Sequence, residues 1–90
     1  MYKDWLEAIA MNRELKWTDL RVFIILLANI EQDVTAEIAQ AEIGAKLGIE
    51  TSNVSRSIKK LTQVGAIEKK VQMGKLVGYK FTIESIENKE

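Results

Sequence analysis

Residues 40–58 read QAEIGAKLGIETSNVSRSI, and the spacing of small and apolar residues in this stretch decides the fold. Apolar residues recur at helical spacing on both sides of Gly48, which predicts two short helices joined by a sharp turn. Gly48 supplies left-handed backbone where the first helix ends, and Gly44 is small enough to let the helices cross closely. The apolar wedge expected between the helices consists of Ile43, Leu47, Ile49, Val54 and Ile58.

The two helices differ in how they begin. Ala39 stands where a Ser or Thr cap is expected before the first helix, and the missing cap costs about 1 kcal/mol. Thr51 is predicted to cap the second helix, which runs to about Gln63 and is stopped by Gly65.

The residues after the second helix change to a period of two. Apolar and polar residues alternate over 67–71 and again over 77–83, with a glycine-containing loop at 72–75, which predicts a β-hairpin. Tyr79 and Phe81 are also the residue types that stack on single-stranded bases. Their alternation with other apolar residues assigns them to the core instead.

The residues before the decisive stretch carry two more helical patterns. The first is an apolar stripe at helical spacing, formed by Tyr2, Trp5, Leu6 and Ile9. In the second, Thr18 is expected to cap a helix, with Trp17 packed onto Val22 as a hydrophobic staple. That helix is apolar on nearly all sides over 22–28, which predicts a buried central helix, and Ile38 is expected in a very short strand.

The stretch 40–58 resembles the helix-turn-helix family of DNA-binding proteins. Its continuation IKKLTQVGAIEKK, residues 58–70, is similar to the winged branch, as in MarR-type regulators and plasmid replication initiators. The resemblance covers roughly residues 20–83 and implies a mainly α domain with a small β-hairpin wing, a winged helix-turn-helix. The chain departs from the family pattern at Ala39 and at Gly44, where alanine is more common. Both departures affect stability and not the assignment.

A chain of ninety residues makes one domain. We expect a single winged helix-turn-helix domain over 1–90, with an N-terminal helix at 1–13 and a winged-helix core at 18–83. The resemblance implies a recognition helix at 51–63 that lies in the major groove and a wing at 67–82 that lies on the backbone.

Positive charge is concentrated in one part of the chain although the net charge is zero. Residues 1–51 carry five Lys or Arg and nine Asp or Glu, a net charge of −4. Residues 52–80 carry seven Lys or Arg and one Glu, a net charge of +6, and residues 81–90 have a net charge of −2. Such asymmetry favours a polyanionic partner, and a merely solvated basic face is the alternative that composition leaves open.

The composition argues against several classes of protein. There is no cysteine and no histidine, so disulfides, thiolate metal sites and the commonest general base are missing, and we do not expect an enzyme. The longest apolar run has seven residues, whereas a membrane span needs roughly 20. The N-terminus is not organised as a signal peptide. We therefore expect a cytoplasmic binding protein that needs no cofactor and no small-molecule ligand.

One face of the second helix is polar at its start and basic later. Val54, Ile58 and Leu61 lie together at about 100° per residue, so they must face the core. The opposite face and its flanks carry Ser52, Asn53, Ser55, Arg56, Lys59, Lys60 and Gln63. By the docking geometry of such helices, the N-terminal residues of this face meet base edges in the major groove.

The side chains of this face differ in the contacts expected of them. Asn53 is expected to pair with adenine and Arg56 with guanine, each giving about 1–3 kcal/mol of discrimination. Serines here are expected at bases or phosphates and lysines at phosphates, which position the protein without reading sequence. These residues are Ser52, Ser55, Lys59 and Lys60.

Two further groups of residues are expected at phosphates. The hairpin has no arginine at its tip, so backbone contact is expected there rather than minor-groove reading. Its contact residues are Lys69, Lys70, Gln72 and Lys75. Gln40 and Thr51 stand at helix starts, where side chains and amides often bind phosphate.

The N-terminal stripe must be buried, either in the core of its own domain or against a second copy of the chain. We expect a second copy, because one such domain reads only a few base pairs and a dimer engages two half-sites. The residues assigned to this dimer interface are Tyr2, Trp5, Leu6 and Ile9. Ile83 and Ile86 of the acidic tail are expected to join it.

The expected function is that of a dimeric, sequence-specific binder of double-stranded DNA acting as a transcriptional regulator, most simply a repressor. The alternative is a DNA-binding protein of plasmid or phage replication or partition, and nothing in the sequence separates these two. A third class, a winged helix used for protein–protein contact, would not need the block of positive charge.

Overall fold

The structure is a computed structural model and describes residues 2–82. Its elements are α1 (Tyr2–Met11), α2 (Trp17–Ala28), a 3₁₀ turn (Gln32–Val34), β1 (Thr35–Ala36), α3 (Gln40–Leu47), α4 (Thr51–Gln63), β2 (Ile67–Gln72) and β3 (Lys75–Phe81). This part is mainly helical, with a small antiparallel sheet in the order β1-β3-β2, and it is compatible with a helix-turn-helix followed by a wing. The predictions for Ile83 and Ile86, and for the side chain of Tyr2, lie outside the described residues.

Three aromatic rings hold α1, α2 and β3 together. The ring centroids of Trp5 and Phe23 are 5.5 Å apart, those of Trp5 and Phe81 5.9 Å, and those of Phe23 and Phe81 5.6 Å. The last two pairs meet edge to face. Each such pair stabilises the fold by about 0.5–1.5 kcal/mol beyond the contribution from burying its surface. This cluster fixes α1 against the rest of the chain.

The assignment of Trp5 and Ile9 to a dimer interface is wrong, because both side chains are buried in the core of their own chain. The physical reason is that α2 and β3 present an aromatic surface that Trp5 completes. The indole N–H of Trp5 also donates a 3.2 Å hydrogen bond to the hydroxyl of Thr82, so its polar edge is satisfied within the chain. Leu6, of the same stripe, remains 39% exposed.

The start of α2 differs from the prediction. The helix begins at Trp17, and the backbone N–H of Lys16 donates a 2.8 Å hydrogen bond to Oδ2 of Asp19. Thr18 is therefore not the cap, and Trp17 is 83% exposed and not packed as a staple on Val22. The helix is also not buried on all sides as predicted, because the side chain of Ile24 is exposed to solvent.

The pair α3 and α4 is folded as the sequence predicts. Gly48 ends α3 in the left-handed conformation, with φ of 70°. A Cβ on Gly44 would lie 2.7 Å from the carbonyl oxygen of Ile49, which confirms that the chain passes closely there. The wedge residues are buried or packed against the core. The predicted cap of α4 is wrong, since Glu50 is the N-cap residue and Thr51 is the first residue of the helix.

The short strand lies earlier than predicted. β1 is formed by Thr35 and Ala36, which pair with Lys80 and Tyr79 of β3, whereas Ile38 is buried outside the sheet. The preceding turn has positive φ at Asp33 and at the residue after it, which directs residues 35 and 36 along β3. The chain then leaves the sheet to begin α3.

The hairpin turn is shorter than the predicted loop. Gln72 and Lys75 are paired across β2 and β3, so only Met73 and Gly74 form the turn. Both turn residues have positive φ, 52° and 78°, as in a type I′ turn. The core positions predicted for Tyr79 and Phe81 are confirmed. The inward alternation predicted up to residue 71 ends at residue 67, because the end of the hairpin extends past the core.

Candidate nucleic-acid interface

The polar face of α4 is presented to solvent, as predicted. Val54, Ile58 and Leu61 are buried, which confirms the face that holds the helix in the domain. On the other side of the helix, the exposed side chains are Thr51, Ser52, Ser55, Arg56, Lys59 and Gln63, and the half-buried ones are Asn53 and Lys60. The structure therefore brings all the predicted residues of α4 to one surface.

A groove of about 600 Å³ runs between this face of α4 and the start of α2. Four cationic side chains line it: Lys16, Arg56, Lys59 and Lys60. Asp19 is the one acidic residue of its lining, and that carboxylate is buried. The groove is thus a cationic surface that extends beyond α4.

The sequence did not indicate that the start of α2 belongs to this surface. Lys16 and Thr18 both line the groove, although the sequence assigned Thr18 only a capping role and Lys16 none. The signal that could have placed them is the set of apolar residues expected between α3 and α4. It seats α4 on the preceding helices, so the polar residues at the end of α2 nearest α4 become candidates for the same surface.

A buried hydrogen bond fastens α4 to α2. The hydroxyl of Ser57 donates to Oδ1 of Asp19 at 2.6 Å, and both side chains are buried. The other carboxylate oxygen of Asp19 accepts the backbone N–H of Lys16. Because Ser57 belongs to the buried face of α4, this bond fixes how far the helix is rotated about its own axis. It therefore fixes the direction in which Asn53 and Arg56 point.

Asn53 and Arg56 are held side by side on this surface. Nη1 of Arg56 donates a 3.2 Å hydrogen bond to Oδ1 of Asn53, one helical turn away. An amide oxygen accepts two hydrogen bonds, so Asn53 keeps one acceptor site and both N–H donors for a further partner. The guanidinium likewise keeps its other donors. The pair retains the groups needed for bidentate contact with a base edge.

The predicted residues of the hairpin fall into two sets. Lys69, Gln72 and Lys75 are exposed. The ammonium of Lys70 lies 3.7 Å from Oδ2 of Asp33, which it shares with Lys80 at 3.5 Å. An ion pair of this kind contributes little to stability, but it offsets the charge that Lys70 offers to a phosphate.

Gln40 lies at the start of α3, as expected, but its side chain is hydrogen-bonded within the chain. Its side-chain Nε2 donates a 2.8 Å hydrogen bond to the hydroxyl of Tyr79, on β3. Its amide therefore joins the start of α3 to the hairpin. This contact helps to set the orientation of the hairpin relative to the pair α3 and α4.

Two further observations concern residues 2–82. In that range, no three or more His, Cys, Asp or Glu side chains are grouped so that they could hold a metal ion. None of the helices there has the length and apolar character needed to cross a membrane.

The chain was also compared with known proteins. No protein-family model matches it, and no curated protein or solved structure is significantly similar to it.

Proposed function

We propose that this chain is a sequence-specific binder of double-stranded DNA with a winged helix fold, acting as a transcriptional regulator. In this proposal α4 is the recognition helix and the β2–β3 hairpin is the wing. The observation that carries it is the exposed, polar and basic face of α4, fixed by the buried bond between Ser57 and Asp19 and bordered by the cationic groove.

The proposed complex places the first half of α4 in the major groove. Ser52, Asn53 and Arg56 face base edges, as the first residues of a recognition helix do. The lysines of the groove lie farther along α4 and at the start of α2, where they contact the phosphates on either side. Lys16 is added to the phosphate contacts, because it lines the same groove. The exposed lysines of the wing, Lys69 and Lys75, lie on the backbone.

The charge distribution supports the same orientation. The net charge is +6 over residues 52–80 and −4 over residues 1–51. A polyanion is therefore attracted to the side that carries α4 and the wing and repelled by the remainder. A neutral protein can in this way approach DNA in one orientation.

A homodimer remains part of the proposal, but on a different surface. Leu6 and Ile24 are exposed at an apolar groove of about 270 Å³ between α1 and α2. None of the residues that line it also lines the cationic groove, so pairing there leaves α4 free. Glu7 and Arg21, which follow the groove residues Leu6 and Leu20 in sequence, are exposed and carry opposite charges, as a self-complementary two-fold interface can use.

Binding to random duplex DNA at several salt concentrations tests the proposal. Affinity is expected to fall steeply with salt, because lysines on phosphates release counterions. Replacing Lys59 and Lys60 together by Ala should lower the logarithmic salt slope by about 2, at about 0.9 per phosphate contact. Lys3→Ala, on the exposed face of α1, is the matched control and should leave the slope unchanged. Absent or salt-independent binding would contradict the proposal and favour protein–protein contact.

Selection of bound sequences from a random duplex pool then separates the two DNA-binding roles. A palindrome is expected for a symmetric dimer at an operator. Direct repeats would instead favour the replication or partition role, with the same interface on DNA.

A further inference from the structure

The end of the hairpin carries three exposed apolar side chains. Met73 is fully exposed at 100%, Val71 is 56% exposed and Leu76 is 48% exposed. They lie where β2 and β3 extend past the core, and a register shift between residues 70 and 71 separates this end from the regular ladder. These side chains therefore contribute little to the packing of the domain.

Met73 also has a backbone conformation that is unusual for a methionine. Met73 is the first residue of the two-residue turn and has φ of 52°, in the left-handed region. Asn or Gly is the favoured residue at that position of a type I′ turn, because other side chains are strained there. Methionine thus strains the backbone and exposes apolar surface, and neither effect favours folding. Such a residue calls for an explanation outside the folded chain.

The surroundings of the tip are positive. Residues 69–76 contain three lysines and no acidic residue. Lys69 and Lys75 are exposed on the two strands that lead into and out of the tip. An apolar tip flanked by exposed lysines is complementary to a partner whose outside is anionic and whose inside is apolar. Duplex DNA has this arrangement, with phosphates outside and stacked bases inside.

We propose that the hairpin tip is a wedge that enters the minor groove and inserts Met73 between two base pairs. The inference rests on the proposed function and adds to it a deformation of the DNA. The minor groove is about 6 Å wide, and methionine is among the apolar residues that enter it and unstack base steps. Lys69 and Lys75 contact the phosphates on either side whether or not Met73 inserts, and insertion bends the duplex toward the major groove.

Insertion of Met73 also predicts a sequence preference at the base step under the tip, where no side chain forms hydrogen bonds with the base edges. Pyrimidine–purine steps are the easiest to unstack. The base step under the tip is therefore expected to be TA or CA/TG. This preference arises from the deformability of the DNA and is separate from the reading by α4.

The variant Met73→Asn tests the wedge, because it creates an Asn–Gly pair and so improves the turn while removing the apolar tip. The thermal midpoint of unfolding should rise or stay the same. Affinity for the selected duplex should fall roughly tenfold or more, as expected when a large apolar side chain no longer becomes buried. The DNA bend, measured by energy transfer between dyes at the duplex ends, should decrease. The salt slope should not change, because no charge is altered.

Met73→Leu is the matched control, since leucine is also a wedge residue. It should retain the bend and most of the affinity. Fluorescence of 2-aminopurine placed in the base step under the tip should increase on binding of the wild type and of Met73→Leu, but not of Met73→Asn. This pattern would support insertion rather than general weakening of the hairpin.

Three outcomes would overturn the wedge and can be told apart. Wild-type affinity and bend in Met73→Asn would overturn it while leaving the proposed function intact. Failure of the wild type to bind duplex DNA would overturn both. Sedimentation of the wild type, but not of Met73→Asn, with vesicles of phosphatidylserine and phosphatidylcholine, without any effect of the substitution on DNA bending, would assign the tip to a membrane surface instead.

Discussion

The hydroxyl of Ser57 on α4 donates a 2.6 Å hydrogen bond to the buried carboxylate of Asp19 on α2. Ser57 is surrounded on α4 by apolar residues that face the core, so its hydroxyl has to find a partner inside the domain. The same carboxylate also accepts the N–H that precedes α2. One side chain thus caps α2 and sets the orientation of α4.

Replacing Ser57 by Ala should destabilise the fold, because it leaves one oxygen of a buried carboxylate without its donor. The expected loss is about 1–3 kcal/mol in the free energy of unfolding, measured by urea denaturation. Ser55→Ala, an exposed serine on the same helix, is the control and should change it by less than about 0.5 kcal/mol. Equal effects of the two substitutions would mean that the buried bond does not hold α4.

Replacing Arg56 by Ala should weaken binding to the selected DNA sequence more than binding to random duplex. The difference is expected to be about 1–3 kcal/mol, the value of one bidentate base contact. Lys59→Ala provides the comparison, since loss of a phosphate contact should weaken both kinds of DNA alike. Titration of both duplexes with each variant measures this. If Arg56→Ala also weakened both alike, Arg56 would be a phosphate contact and its assignment to guanine would be wrong.

Replacing Ile24 by Lys should prevent self-association, because a charge then lies in the apolar groove between α1 and α2. Sedimentation velocity of the free protein measures the change. Ala8→Lys, exposed on α1 and outside that groove, is the control and should associate like the wild type. A monomeric wild type, or an Ile24→Lys variant that still associates, would contradict the proposed interface.

The pair α3 and α4 and the hairpin could be predicted because their signals are local. Gly48 ends one helix by its backbone conformation, and the change of period after α4 marks the hairpin within a few residues. The buried face of α4 also follows from spacing alone. Each of these features depends on residues close together in the sequence, so no knowledge of the tertiary contacts was needed.

The contacts between distant elements could not be predicted in the same way. The spacing of Trp5 shows that it is buried, but not whether its partner is a ring of the same chain or of another copy. Asp19 and Ser57 are 38 residues apart, and nothing in the sequence indicates that one is the hydrogen-bond partner of the other. The sequence assigns Met73 to a glycine-containing loop, but it does not show how far the hairpin extends past the core.

The two tryptophans of the chain stand in opposite environments, and this has a spectroscopic consequence. Trp5 is enclosed by the rings of Phe23 and Phe81, whereas Trp17 is 83% exposed at the first position of α2. The intrinsic emission therefore has a shielded, blue-shifted component and an iodide-quenchable, red-shifted one. The first component reports opening of the core, and the second reports the approach of a ligand to the start of α2. A single unlabelled sample can thus distinguish unfolding from ligand approach.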